Sequence, residues 1–157
     1  MEEQPLSEEY VRSLFGAYSN STDAQMSAFK NWADEAIFDD PLMTVRGREQ
    51  IMRQFYLLSV LFKSISIDIQ RIDLGNKSAI VDNTQVYTFR LLPYTIRIRA
   101  FSTFVFDGTG KVVHHEDVWS LANILQQIPW GLGYLYYRIL RSANATVASF
   151  LVRTVKG

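Results

Sequence analysis

A histidine and an aspartate two residues apart, His115 and Asp117, are the side chains best suited to chemistry in this sequence. They follow a Gly-rich turn at 108–110 that lies between two apolar runs and predicts a β-hairpin. Because alternate side chains of a strand face opposite sides, Val113, His115, Asp117 and Trp119 share one face. Trp119 favours that face as the interior, where burial shifts the pKa of an imidazole or a carboxylate. The pair is a candidate acid–base site, although His115 can also be a core histidine bonded to a backbone carbonyl.

Asp40 is a second candidate acid–base group. Pro41 keeps it out of helical geometry, and an apolar opening around it would raise the pKa of its carboxyl. Such a carboxylate is a usable base, but aspartate also commonly caps a turn, and the sequence is equally compatible with both roles. On a later predicted strand, Asn83, Gln85 and Tyr87 share one face. If that face is interior, they offer hydrogen bonds to a substrate oxygen, while Tyr87 can equally be a packing residue.

The composition argues against several classes of function. The 157 residues are 48% hydrophobic and carry no net charge, so they form one globular domain without a basic field for nucleic acid. No cysteine is present, which removes disulfides, thiol nucleophiles and thiolate metal sites together. The adjacent histidines, His114 and His115, face opposite sides, which argues against a metal site. With neither a signal peptide nor a long apolar run, we expect a cytoplasmic protein without a cofactor.

The elements that would position these groups change type along the chain. Helical spacing predicts a first helix capped by Ser7, a second capped by Asp23 that ends near Asp34, and a third from Glu49 to about Phe62. The inward side chains of the second helix would be Met26, Phe29, Trp32 and Ala33. Beyond the third helix the pattern alternates and predicts four strands. Helices followed by an antiparallel meander are typical of an α+β domain.

Residues 122–157 are predicted to extend a domain formed by residues 1–121. A break at 129–133 precedes an apolar-rich helix from about Tyr134 to Val152. This helix would pack against the domain or a second subunit. Alternatively, it would lie at a membrane surface with its basic residues at lipid head groups, which would make the protein peripheral to a membrane.

A family resemblance rests on two segments of the sequence. The first is AIFDDP at 36–41, followed by Gly47 and a helix bearing Phe55-Tyr56, and the second is FVFDGTGKVV at 104–113. With the order of helices and strands, they are similar to the nuclear transport factor 2-like superfamily, in its ketosteroid-isomerase and SnoaL-like polyketide-cyclase branch. The resemblance covers about residues 7–121.

The resemblance implies an α+β fold in which a cone-shaped, curved antiparallel sheet carries the N-terminal helices on its concave face. The C-terminal helix is an addition to this fold. Asp40 would be the catalytic base, and His115, Asp117 and Trp119 would line the pocket. A homodimer is also implied, because one sheet face of such cones commonly pairs with its twin.

The sequence departs from the isomerases at both residues of their oxyanion hole. Their tyrosine would fall near Leu14 or Phe15, and their aspartic acid would fall on Ser102. A steroid isomerase needs both donors to stabilise a dienolate, so classical ketosteroid isomerisation is disfavoured. His115 and Asp117 would supply the polar groups instead, since other members of the superfamily carry similar His-x-Asp pairs on this strand.

These features predict a cofactor-independent acid–base enzyme of the isomerase, dehydratase or cyclase type. Its substrate would be an apolar, ring-containing small molecule such as a terpenoid, polyketide or steroid-like intermediate of secondary metabolism. The alternative is a non-catalytic module of the same fold that binds a small molecule, a lipid or a protein. The catalytic candidates are Asp40, His115 and Asp117. The candidates for substrate binding are Trp32, Phe55, Asn83, Gln85, Tyr87, Ser102 and Trp119.

Overall fold

The computed structural model describes residues 6–127 of the chain. The chain divides into two compact units, residues 1–119 and 120–157. In chain order the elements are α1 (Glu8–Leu14), a 3₁₀ helix (Phe15–Tyr18), α2 (Thr22–Phe29), β1 (Trp32–Asp39), β2 (Thr44–Arg46), α3 (Arg48–Leu61), β3 (Phe62–Leu74), β4 (Ser78–Phe89), β5 (Thr95–Phe106), β6 (Val112–Trp119) and α4 (Leu121–Gln127). All of them except α4 belong to the first unit.

One six-stranded sheet, in the order β2-β1-β6-β5-β4-β3, is the framework of the first unit. Strands β3 to β6 pair antiparallel with their neighbours in the chain, as a meander does. β1 extends the sheet by pairing parallel to β6, and β2 pairs antiparallel to β1. The sheet is mostly antiparallel and curled, with helices packed on it, which confirms the predicted α+β class.

The core lies between the helices and the inner face of this sheet. Val11 and Leu14 of α1 are fully buried there, and Phe55 of α3 is 2% exposed. In β4 every second side chain from Ala79 to Tyr87 is buried, as expected for a strand with one face on the core. The hydrophobic effect of burying these apolar surfaces drives the helices onto the sheet.

Contacts at both ends define where α3 begins and ends. Gly47 precedes the helix with a φ of 88°, a conformation that glycine adopts without the steric penalty of a Cβ atom. At the other end, the guanidinium of Arg90 donates hydrogen bonds of 3.0–3.2 Å to the backbone carbonyls of Ser59, Val60 and Phe62. These bonds satisfy carbonyl groups that the last turn of a helix leaves unpaired.

The predicted cap of α2 is wrong. Ser21, rather than Asp23, caps the helix by accepting a hydrogen bond from the backbone N–H of Ala24 at 3.4 Å. Serine and aspartate cap helices about equally well, so residue type does not choose between them. Asp23 lies in the first turn, where the helix dipole favours a negative charge. Met26, predicted to face inward, is 52% exposed.

The predicted C-terminal end of α2 is also wrong, because Trp32 belongs to β1. The backbone N–H of Val112 donates to the carbonyl of Asn31 at 2.8 Å, and Trp32 pairs with Val112 in the parallel ladder between β1 and β6. Trp32 is nevertheless fully buried, as predicted. Pairing with a strand this distant in sequence overrides the helical spacing of the segment.

A register shift in the ladder between β5 and β6 falls at Val113, as in a β-bulge. Val112 is therefore fully buried where the alternation predicts Val113. Beyond the shift, His115 and Asp117 are 0% and 4% exposed and face the interior, as predicted.

The second unit is described only over residues 120–127, which include α4. The predicted break at 129–133 and the predicted helix from about Tyr134 to Val152 lie outside the described residues. Across residues 6–127, no helix has both the length and the apolar character needed to cross a membrane.

Candidate acid–base site

Polar side chains gather on the inner face of the sheet, among mainly aromatic neighbours. They come from the 3₁₀ helix and from three adjacent strands, β4, β5 and β6. The members of this group are Tyr18, Asn83, Gln85, Tyr87, Ser102, His115 and Asp117, each no more than 5% exposed. Burying polar groups is unfavourable unless they are hydrogen-bonded, so their partners determine what the site can do.

Asp117 is the centre of the hydrogen-bond network. Ser102 lies opposite it in the ladder between β5 and β6 and donates its hydroxyl proton to Oδ1 across 2.5 Å. Asn83 donates through Nδ2 to the hydroxyl oxygen of Ser102 at 2.9 Å, which orients that hydroxyl toward the carboxyl group. Oδ2 lies against the hydroxyl of Tyr18. Both carboxyl oxygens therefore have polar partners inside the protein.

His115 is held by both of its ring nitrogens. Nδ1 lies 3.1 Å from the backbone carbonyl oxygen of Thr103, and Nε2 lies 2.8 Å from the hydroxyl oxygen of Tyr18. The ring stacks on Phe104 with centroids 4.1 Å apart. Burial lowers the pKa of His115, and the charge of Asp117 and the hydrogen bond to Thr103 oppose this effect. The imidazole is therefore harder to protonate than a histidine in water.

Tyr18 is a member of this network that the sequence analysis does not include among the site residues. It ends the 3₁₀ helix, and its hydroxyl contacts both His115 and Asp117. Burial, and then the charge of Asp117, raise the pKa of Tyr18 well above its ordinary value, so the phenol keeps its proton. Two features of the sequence could have indicated Tyr18. It belongs to the apolar stripe of the predicted first helix, and it lies close to the position of the isomerases' oxyanion-hole tyrosine.

Asp40 caps the turn that follows β1. Its Oδ1 accepts hydrogen bonds from the backbone N–H groups of Leu42 at 2.7 Å and Met43 at 2.9 Å. Burial raises the pKa of Asp40, these two bonds lower it, and the charge of Asp117 raises it further. Its own charge acts in turn on the pKa values of Tyr18, Tyr87 and His115. The turn cap is observed, and the role of base stays a prediction.

Gln85 carries an unpartnered hydrogen-bond donor. The hydroxyl of Tyr87 donates to Oε1 of Gln85 at 2.5 Å, at the short end of the range for O–H···O hydrogen bonds. This contact orients the amide and leaves Nε2 without a partner among the described residues. Oδ1 of Asn83 and Nε1 of Trp32 are buried and unpartnered in the same way. Because each such group costs about 1–3 kcal/mol, pairing with a ligand or water would be favourable.

Aromatic rings surround the network. Trp32 packs edge-on against His115 with ring centroids 5.6 Å apart, and Phe55 packs edge-on against Tyr18 at 4.7 Å. Trp32 and Phe55, which are both predicted to bind substrate, therefore contact the network. Trp119 differs, because it lies at the end of β6 with partial exposure and makes none of the network's hydrogen bonds in the described part of the chain.

The arrangement combines groups that exchange protons with groups that bind oxygen atoms. The first kind comprises two carboxyls, an imidazole and the phenol of Tyr18, and the second comprises the two side-chain amides. Within residues 6–127, no group of three or more His, Cys, Asp or Glu side chains is arranged to hold a metal ion.

Residues 10–115 match DUF2358, a family described as uncharacterized conserved protein. The chain belongs to this family. The matched range includes Tyr18, Asp40 and His115 and ends short of Asp117. No curated protein matches the chain by sequence.

Solved structures show that this DUF2358 protein has a nuclear transport factor 2-like fold. A protein of ketosteroid isomerase-like fold from Catenulispora acidiphila, in complex with trimethylamine, is 16% identical, with a TM-score of 0.68 over 78% of this chain and 93% of its own. An LEH-like epoxide hydrolase from M. tuberculosis is 14% identical, with a TM-score of 0.65 over 90% and 94%. A candidate SnoaL-like polyketide cyclase from Shewanella denitrificans is 12% identical, with a TM-score of 0.68 over 79% and 97%. At these identities the likeness shows the fold alone.

Proposed function

We propose that this protein is a cofactor-independent acid–base enzyme that acts on an apolar, ring-containing small molecule. The observation that carries the proposal is the buried chain of hydrogen bonds through Asp117, Tyr18 and His115, with the carboxyl of Asp40 close enough to act on the pKa values of Tyr18 and His115. Groups that gain or lose protons at separate points of one interior suit isomerisation, dehydration or cyclisation.

In this proposal Asp40 is the base, because burial raises the pKa of its carboxyl and so increases its affinity for a proton. Asp117 and His115 form the acid side of the site. Gln85 would bind a substrate oxygen, since its Nε2 is a buried donor without a partner among the described residues. The side chains that would orient these groups are Asn83, Tyr87 and Ser102.

The proposed reaction depends on proton donation rather than on an oxyanion hole of two donors. Ser102 stands where the resemblance places the isomerases' aspartic acid, and its hydroxyl is bound to Asp117. The similar structures include an epoxide hydrolase and a candidate polyketide cyclase. The polyketide cyclase supports a polyketide-like ring compound as the substrate class, and terpenoid and steroid-like compounds are also part of the proposal.

A turnover screen of apolar ring compounds that carry epoxide, hydroxyl or carbonyl groups tests this proposal. For a compound that is turned over, Asp40→Asn and Asp117→Asn should each lower kcat/KM by at least about 100-fold, as loss of a general acid or base does. Asp39→Asn is the matched control, because that neighbouring carboxyl binds His114 outside the network. It should keep the wild-type rate. An unchanged rate in Asp40→Asn would contradict the proposal.

A non-catalytic binding module is the second candidate. It is favoured by the hydrogen bonds of Asp40 within its own turn and by the internal partners of both oxygens of Asp117. Calorimetric titration of the same compounds separates the two candidates. Binding without turnover, and with the same dissociation constant in Asp40→Asn, would favour the module.

We also propose that the protein forms a homodimer through the outer face of the sheet. Phe101 and Val118 lie opposite each other in the ladder between β5 and β6, and they are 48% and 52% exposed. Ile80 on β4 is 47% exposed. Light scattering should give the mass of a dimer for the wild type and of a monomer for Phe101→Lys. A monomeric wild type would contradict the proposal.

Peripheral membrane contact through the helix predicted from about Tyr134 to Val152 also stays a prediction. Liposome flotation of the full chain and of a chain that lacks residues 130–157 tests it. Only the full chain should float with the vesicles, and equal recovery of both in the soluble fraction would contradict the prediction.

A further inference from the structure

Four polar groups form an unbranched line through the buried network. The line runs from the carbonyl oxygen of Thr103 to Nδ1 of His115, from Nε2 to the hydroxyl of Tyr18, and from that hydroxyl to Oδ2 of Asp117. His115, Tyr18 and Asp117 are between 0% and 4% exposed. Because bulk water is kept out, each contact in this line depends on a proton that the protein itself supplies.

Counting donors along the line shows a deficit. The carbonyl oxygen of Thr103 can only accept, so Nδ1 of His115 must carry a proton. The single hydroxyl proton of Tyr18 can then occupy only one of its two contacts. A neutral histidine, a tyrosine and a carboxylate would bring two protons to three contacts. The remaining contact would set two lone pairs against each other, which is unfavourable in a buried place.

We propose that His115, Tyr18 and Asp117 together hold three protons at neutral pH, and that Tyr18 relays the third proton between its two neighbours. With three protons, every contact in the line is a hydrogen bond. Tyr18 is then a positioning and relay residue that acts through Asp117 and His115. This inference rests on the proposed function only for the purpose of the third proton. In that function, the acid side of the site would donate this proton to a substrate oxygen.

Three protons allow two arrangements. In the first, Asp117 is a carboxylic acid that donates to Tyr18, and Tyr18 donates to Nε2 of a neutral His115. In the second, an imidazolium at His115 donates to Tyr18, and Tyr18 donates to the carboxylate of Asp117. The two interconvert when two protons move in the same direction along the line, with no change of net charge. The first has no buried charge and is favoured, in keeping with the burial that lowers the pKa of His115.

Three other ionisable groups act on this line. The charge of Asp40 favours a positive His115, and His114 on the same strand opposes it. Burial raises the pKa of Tyr87, and the charge of Asp40 raises it further, so its phenol stays neutral. In the described part of the chain none of the three donates a hydrogen bond to the line. The third proton therefore resides on the line itself.

The proton count can be measured on the full-length protein at rest. The chain has two histidines, so His114→Gln leaves His115 as the only imidazole. NMR of isotope-labelled imidazole nitrogens then reports its tautomer and charge at neutral pH. Infrared difference spectra between this protein and its Asp117→Asn variant, both with labelled aspartate carboxyls, report whether Asp117 is protonated.

We expect a neutral imidazole protonated at Nδ1 together with a carboxylic acid at Asp117. An imidazolium together with a carboxylate contains the same three protons and also supports the proposal. A neutral imidazole together with a carboxylate would overturn it.

Tyr18→Phe tests the relay. Without the hydroxyl, Nε2 of His115 and Oδ1 of Asp117 remain 3.7 Å apart, too far for a hydrogen bond, so the nitrogen resonance of Nε2 should move to that of an acceptor without a hydrogen bond. Tyr87→Phe is the matched control, because it removes a buried hydroxyl that binds Gln85 outside the line. Its spectra should match those of the parent. A Tyr18→Phe protein whose Nε2 resonance matches that of the parent would contradict the relay.

The pH dependence of stability gives a second measurement that needs no change at Tyr18. Between about pH 5 and about pH 6 the unfolded chain also holds three protons on these side chains, so the site contributes no slope. Above about pH 6.5 the unfolded histidine loses its proton, and the unfolding equilibrium constant should rise by up to about tenfold per pH unit. A folded network with two protons would instead make that constant fall with rising pH below about pH 6.5 and stay level above it. That result, in urea titrations of the His114→Gln protein, would overturn the proposal.

None of these measurements uses a substrate. A count of two protons would overturn this inference and leave the proposed role of Asp40 standing. An absence of turnover would contradict the proposed function and leave the proton count standing.

Discussion

The two histidines of β6 are adjacent in sequence and lie on opposite faces of the sheet. Nε2 of His114 is 2.7 Å from Oδ2 of Asp39 on β1, and these side chains are 36% and 31% exposed. His115 and Asp117 are 0% and 4% exposed and share the hydroxyl of Tyr18. The same two residue types thus form a partly exposed pair on one face and a buried network on the other.

This comparison shows how burial changes the energetic contribution of a histidine–aspartate pair. Water and salt screen the exposed pair, and such pairs contribute about 0–1 kcal/mol to stability. The buried groups are shielded from water, so they must share protons among themselves, and removing one partner leaves another unpaired. The buried network should therefore dominate both stability and chemistry.

The largest expected effect is the loss of stability when the buried ring is removed. His115→Ala deletes the ring stacked on Phe104 and removes the contacts of its two nitrogens with the Tyr18 hydroxyl and the Thr103 carbonyl, so it should destabilise the fold by about 3 kcal/mol or more. His114→Ala removes a partly exposed pair and should cost less than about 1 kcal/mol. Urea denaturation measures both. Equal losses of stability in the two variants would contradict the expected difference between the buried and the exposed histidine.

A smaller effect is expected when the support of Asp117 is weakened. Ser102→Ala removes the donor to Asp117 and the acceptor of Asn83, which should cost about 1–3 kcal/mol in urea denaturation. Ser13→Ala is the control, because that exposed hydroxyl bonds the carbonyl of Tyr10, and it should change stability by no more than about 0.5 kcal/mol. A Ser102→Ala protein as stable as the control would show that this bond does not hold Asp117.

The exposed pair should show a weak and salt-dependent coupling. A double-mutant cycle of His114→Gln and Asp39→Asn should give a coupling below about 1 kcal/mol that decreases as salt is added. A larger coupling free energy that does not change with salt concentration would mean that this pair behaves like the buried one.

The smallest expected effect is the acid response of Asp39. Hydrogen bonds to Thr44 and His114 lower the pKa of its carboxyl. The unfolded chain therefore binds this proton at a higher pH, so the stabilisation is present above about pH 4 and is lost as the pH falls further. Between about pH 5 and about pH 3, the urea stability of Asp39→Asn should decline less steeply than that of the wild type. Parallel curves would show that the pair contributes nothing.

Much of the fold could be predicted because its patterns are local. The third helix, predicted from Glu49 to about Phe62, is observed at Arg48–Leu61. The predicted strand that carries Asn83, Gln85 and Tyr87 is observed as β4, Ser78–Phe89. Helical and alternating spacings are properties of short segments, so they can be recognised without knowledge of the neighbouring elements.

Trp32 and Tyr18 show what these local patterns cannot predict. Trp32 continues the helical spacing of α2, but a parallel pairing with β6 draws it into a strand. Tyr18 continues the apolar stripe of the first helix, but its hydroxyl contacts side chains 97 and 99 positions further along the chain. No periodicity relates residues so far apart.

Residue types, their spacing and the opposite directions of His114 and His115 are properties of the chain alone, because a strand alternates its side chains wherever it lies. The sequence alone also shows Asp40 beside a proline, and it leaves open whether Asp40 is a base or a turn cap. The packing of the elements decides which histidine is buried, places Tyr18 between His115 and Asp117, and aligns Ser102 with that carboxyl. Side-chain direction along a strand is local, whereas hydrogen bonds between distant residues, and the exclusion of water that strengthens them, exist only once the helices cover the sheet.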